Sequence, residues 1–118
     1  MNIKEFYNTL DENYDSILDR LISPDRIEKY LNIFFNENSV GNLKQQIENK
    51  DFEIAKNTAH TLKGAISTLG IDRLVSVISK LQTALENNEA EQANDLFQSF
   101  EEEYERIFHI WTNAYIES

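Results

Sequence analysis

Ala59-His60-Thr61-Leu62-Lys63-Gly64, with Gly70 six residues beyond it, sets one of only two histidines in the chain beside a lysine and a glycine. If residues 51–69 are helical, at about 100° per residue, then Phe52, Ala55, Ala59, Leu62, Ile66 and Leu69 gather on one side. His60 then faces away from the core, and Lys56, Lys63, Gly64 and Ser67 share that outer face with it. No acidic side chain lies between Ala55 and Ile71. A nucleophilic ring nitrogen in a cationic setting is suited to phosphoryl transfer. A free imidazole titrates near about 6.5, so its neutral, nucleophilic form is plentiful at neutral pH.

Gly64 needs a reason to stand inside a helix, where glycine costs roughly 1 kcal/mol relative to alanine. One turn after His60, it removes the side chain that would crowd the ring, so a partner's concave site can close over the imidazole. Lys63, about one turn along, carries an ammonium group on a flexible stem that can reach an anion attached to the ring.

The elements that must hold these residues are helical. With 118 residues and 41% hydrophobic content, the chain has enough material for one domain with one core. Three glycines and one proline leave little for the turns of an all-β protein. The spacing predicts short helices near residues 3–10 and 15–21. Ser23-Pro24 then starts a helix with Ile27, Tyr30, Leu31, Phe34 and Phe35 as its apolar stripe. Residues 36–42, with Gly41, interrupt or bend that helix, and Leu43 and Ile47 resume its apolar face. Asp51 reads as the N-cap of the histidine helix. Ile71, Leu74, Val77, Ile78, Leu81 and Leu85 form the next stripe, and Asn88 with Glu91 reads as a capping box. Ala93, Phe97, Phe100, Tyr104, Ile107, Trp111 and Ala114 follow at coiled-coil-like spacing. The expected architecture is all-α: an antiparallel four-helix bundle over residues 23–116, with short capping helices in residues 1–22, in a single domain spanning 1–118.

The charge pattern narrows the partners. Net charge is −10, which disfavours nucleic acid and anionic membranes. The acids are unevenly placed: residues 1–54 carry 11 acids against 6 bases, 55–85 carry 1 against 4, and 86–118 carry 9 against 1. The one net-positive segment holds His60. Absence of cysteine excludes disulfides and thiolate chemistry. No signal peptide and no apolar run near the ~20 residues of a membrane span can be read, so a cytoplasmic protein is expected. His60 and His109 lack the spacing and companions of a metal site, and no phosphate-cradling glycine loop for ATP is present.

The AHTLKG core, with Gly70 after it and Leu81-Gln82 in the following helix, resembles the signature of the histidine-containing phosphotransfer (HPt) domains of bacterial phosphorelays, over about residues 26–111. The resemblance implies that His60 accepts a phosphoryl group at Nε2 from a receiver-domain aspartyl phosphate and passes it to another receiver aspartate. Lys63 would offset the phosphoryl charge, and the Gln82 side-chain oxygen would accept from Nδ1–H and so orient the ring. Gly64, Lys56, Ser67 and Ser79 are expected on the partner-binding surface. Lys56, Arg73 and Lys80 read either as a solvated face or as a docking patch. Glu86 stands where some members carry a basic residue, a departure from the pattern. No cofactor is implied in this chain, because Mg²⁺ would belong to the receiver. Receiver domains are the expected partners, with a hybrid histidine kinase as a second candidate, and the chain is expected to act as a monomeric relay and not as a kinase. Two alternatives stay open: a module that binds and sequesters a receiver without chemistry, and the phosphoacceptor subunit of a chemotaxis-type kinase.

Overall fold

The computed structural model describes residues 2–113 of the chain. Among them are α1 (Ile3–Thr9), α2 (Tyr14–Leu21), α3 (Pro24–Asn36), α4 (Ser39–Glu48), α5 (Phe52–Leu69), α6 (Asp72–Glu86) and α7 (Ala90–Trp111), with no strand. Helices α4 to α7 form the antiparallel bundle. Each packs on its chain neighbour, and α4 also meets α7, which closes the ring. Helices α1 to α3 cover the bundle through contacts with one another and with α5, and through Phe6 and Phe35 packed on Trp111 of α7.

The helix starts follow the sequence only in part. Asn2, Asn13 and Ser23 cap α1, α2 and α3 by accepting from Glu5, Ser16 and Arg26 backbone N–H groups, and Pro24 opens α3 as its spacing predicts. Asp51 does occupy the N-cap position of α5, but its side chain makes no capping bond. The predicted capping box at Asn88 is absent. Asn88 instead adopts a left-handed backbone (φ 55°) after α6, and Glu89 precedes α7. Gly41 likewise does not break the chain. The interruption falls at the extended Glu37, and Gly41 lies within α4.

One turn geometry recurs. Asp11, Lys50, Gly70 and Asn88 all have positive φ. In each case the next residue donates its backbone N–H to the carbonyl five positions earlier: Glu12 to Tyr7 (3.0 Å), Asp51 to Gln46 (2.9 Å), Ile71 to Ile66 (3.4 Å) and Glu89 to Ala84 (2.9 Å). This Schellman-type closure satisfies carbonyls that a helix end would leave open. Only Gly70 takes the left-handed backbone without strain from a side chain.

The core is one cluster. Ala55, Ala59, Leu62, Ile66 and Leu69 of α5 meet Leu74, Ile78, Leu81, Ala84 and Leu85 of α6 within it. Trp111 is fully buried, edge-on to Phe6 at 5.2 Å and stacked on Phe35 at 5.9 Å. Its burial removes it from any exposed dimerising surface, and Ala114 and Tyr115 lie outside the described residues. Tyr30, expected in the α3 stripe, is instead 39% exposed and lines a shallow groove with Ile33, Ala65 and Thr68.

The α1–α2 hairpin holds the α5–α6 corner. Tyr7 donates its hydroxyl to the Leu69 carbonyl at 2.7 Å, and Arg20 donates to the carbonyls of Ser67 and Thr68. Glu12 accepts from the Arg73 backbone N–H at 3.3 Å and so serves α6, which has no side-chain cap of its own. Ile17 packs where a β-carbon at Gly70 would stand, 2.6 Å from its Cδ1. Burial raises the Glu12 carboxyl pKa above its ordinary value, against the opposing bond from Arg73. A raised carboxyl pKa means that ionisation disfavours folding. The corresponding stability is present at low pH and is lost as pH rises through the raised value.

Two outcomes follow. Gly70→Ala should lower unfolding free energy by about 2–4 kcal/mol, combining left-handed strain with overpacking against Ile17, and urea unfolding within about 0.5 kcal/mol of wild type would show that α2 does not sit on this turn. Glu12→Gln keeps an acceptor for Arg73, so it should be at least as stable as wild type at neutral pH, with the difference closing on acidification in melts across pH.

Candidate functional site

His60 is the ninth residue of the 18-residue α5 and is exposed, while Ala59 and Leu62 beside it are buried. Lys56, Lys63 and Ser67 are half-buried and Gly64 exposed, all on the His60 side of the helix. A β-carbon added at Gly64 would meet no neighbouring atom within 4 Å. Packing therefore does not demand glycine there, and a β-carbon would not touch the His60 ring either, so the position is open space beside the ring.

From α6, Gln82 reaches the ring, with its Nε2 3.4 Å from His60 Nδ1. The expected pairing of Gln82 with Nδ1 is thus present, but through the opposite end of the amide. The oxygen predicted to accept from Nδ1–H is buried without a hydrogen-bond partner. The physical reason lies one turn further on. Gln82 Nε2 also donates to Glu86 Oε1 at 3.4 Å, and a carboxylate can only accept. With Nδ1 turned to α6, Nε2 is the ring nitrogen left for a partner.

Ser79 donates its hydroxyl to the Val75 carbonyl at 2.7 Å and is half-buried. In antiparallel helices, the pairing that sets Gln82 against His60 places Ser79 about one turn along, level with Lys63. The cations do not form one patch. Lys56 is bonded to Glu53 at 3.1 Å, and Arg73 lies 3.8 Å from Glu103 on α7. Lys56 and Arg73 stand near opposite ends of the α5–α6 pair, about 20 Å apart along the helices. The Arg106 guanidinium holds the Glu103 carboxyl below its ordinary range, with burial opposing. His109 is exposed on α7. Among the described residues no group of three or more His, Asp or Glu converges as a metal site, and no helix is long and apolar enough to cross a membrane.

The Hpt domain family model matches residues 29–109, which contain His60, Lys63, Gly64 and Gln82. The chain belongs to the Hpt domain family. Hpt domains are helical modules of histidine phosphotransfer in phosphorelays, carry no kinase motif, and work with receiver domains of two-component systems. No curated protein and no solved structure matches the chain. The Hpt match starts within α3, so the α1–α2 hairpin that braces the α5–α6 corner lies outside it.

Sequence reasoning did not find Tyr7, Glu12 and Arg20 as supports of the site, because their partners are backbone groups 47 to 62 positions away. Glu86 was legible as a departure, and its i,i+4 offset from Gln82 was the available signal for the contact. Because nothing packs over Gly64, Gly64→Ala should raise unfolding free energy by up to about 1 kcal/mol. Denaturant melts showing a loss instead would mean that the helix needs glycine at this position for its own packing.

Proposed function

We propose that this Hpt chain is a phosphorelay carrier that takes a phosphoryl group on His60 from a receiver aspartyl phosphate and delivers it to another receiver aspartate. The observation that carries this reading is an exposed imidazole whose Nδ1 faces Gln82 and whose outer side is left open by Gly64. In the transfer, the Nε2 lone pair forms an N–P bond while the P–O bond of the acyl phosphate breaks. The electron pair leaves with the receiver carboxylate, and the Nδ1 proton stays on the ring. Lys63 supplies positive charge to the phosphoryl oxygens, and positioning accounts for the rest of the catalysis. Lys56, Gly64, Ser67 and Ser79 form the surface that meets the receiver, and Mg²⁺ comes with that partner. A monomer in the cytoplasm suffices for this role, because a single face does the work.

Incubation with receiver domains charged by a small phosphodonor should give acid-labile phosphate on the wild type and none on His60→Gln. Lys63→Ala should slow transfer by about tenfold to a hundredfold. Receiver binding without any labile phosphate on the wild type would favour a sequestering module. Labelling only by a separate ATP-dependent kinase domain would favour the chemotaxis-type phosphoacceptor.

A further inference from the structure

We propose that Glu86 is a positioning residue that holds His60 in a resting tautomer by way of the Gln82 amide. The inference rests on the phosphocarrier reading and adds regulation to the same site. A carboxylate accepts hydrogen bonds and donates none. Glu86 Oε1 is 3.4 Å from Gln82 Nε2, so the carboxylate draws the NH₂ end of the amide to its side, where the carbonyl end would be repelled. That same Nε2 lies 3.4 Å from His60 Nδ1. A donor facing Nδ1 makes Nδ1 the acceptor, and in the neutral ring the proton then sits on Nε2.

An Nε2 that carries the proton has no lone pair for phosphorus. Gln82 Oε1 meanwhile is buried and unmet, so the amide keeps this orientation although its own acceptor has no partner. On α5 the cations beside the ring are Lys56 and Lys63, and the Lys56 ammonium is bonded to Glu53. Glu86 is exposed at the last position of α6, open to a docking partner. A partner cation that pairs with Glu86 removes the pull on the NH₂ end. The amide can then turn, Oε1 accepts from Nδ1–H, and the Nε2 lone pair faces the incoming phosphoryl group. Glu86 thereby keeps the unbound carrier idle and couples docking to activation.

The test is long-range ¹H–¹⁵N spectroscopy of histidine-labelled protein at alkaline pH, with His60→Gln used to separate the His109 signals. Wild type should show His60 mainly as the Nε2–H form. Glu86→Ala should raise the Nδ1–H population by about threefold or more, and receiver-to-carrier transfer should accelerate in parallel. In a Gln82→Ala background the same substitution should move neither quantity. Circular dichroism melts confirm that each variant is folded. An unchanged tautomer in folded Glu86→Ala, or an equal shift without Gln82, would overturn the proposal. The tautomer is read without phosphate, so the carrier reading fails separately: full labelling of His60→Gln would overturn that reading, while a Gln82-dependent shift would still support Glu86 as the positioning group.

Discussion

Gly70 reverses the chain at φ 69° with Ile17 seated where a β-carbon would stand, and this close approach fixes how α5 and α6 lie against each other. His60 stands ten residues before the turn and Gln82 twelve after it. At 1.5 Å per residue the two come level only if the reversal uses a fixed number of residues and a fixed backbone path. One residue more or less would rotate the following side chains by about 100° and send Gln82 away from the ring. The bonds from Tyr7, Arg20 and Glu12 to the two helix ends keep that corner closed.

Helix order and core faces were legible because they rest on periodicity, which is local. The α5 stripe from Ala55 to Leu69 and the α6 stripe around Leu74, Ile78 and Leu81 are buried as their spacing predicts. The turns were less legible. Lys50 takes a left-handed backbone that its residue type does not announce, and Asn88, a type that tolerates that backbone, stands at a helix end where its spacing to Glu91 imitated a helix start. Tyr30 fitted the α3 period and yet lies at its edge, because a period locates a stripe but not its width. At the site, the motif singled out His60, Lys63, Gly64 and Gln82. The orientation of the Gln82 amide depends on a third group, Glu86, and a pairwise reading of ring and amide leaves it undecided.

Charge divides the site from the rest of the molecule. Of the segments 1–54, 55–85 and 86–118, only 55–85 is net positive in a chain carrying −10. Two of its four cations are nonetheless committed in different directions, Lys56 to Glu53 and Arg73 to Glu103, in pairs partly open to solvent and of small energetic worth. What the segment offers is a local relief from repulsion more than a cationic surface. An anion approaching His60 meets fewer like charges there than on the acidic flanks.

The bundle is mechanically lopsided. At one end the α5–α6 corner is pinned by three side chains of the α1–α2 hairpin, Tyr7 on α1, Arg20 on α2 and Glu12 in the turn between them. At the other end the α4–α5 and α6–α7 turns come together, with Lys50 and Asn88 lining the same shallow depression. Backbone bonds from Asp51 to Gln46 and from Glu89 to Ala84 close these two turns locally. His60 sits midway between the two, and the polar chain that begins at its ring, through Gln82 to Glu86, runs toward the end without the hairpin. A charge placed on the ring therefore sits at the start of a polar path that leads away from the braced corner. The groups nearest to a new charge on the imidazole are thus not the ones that hold the fold's corner.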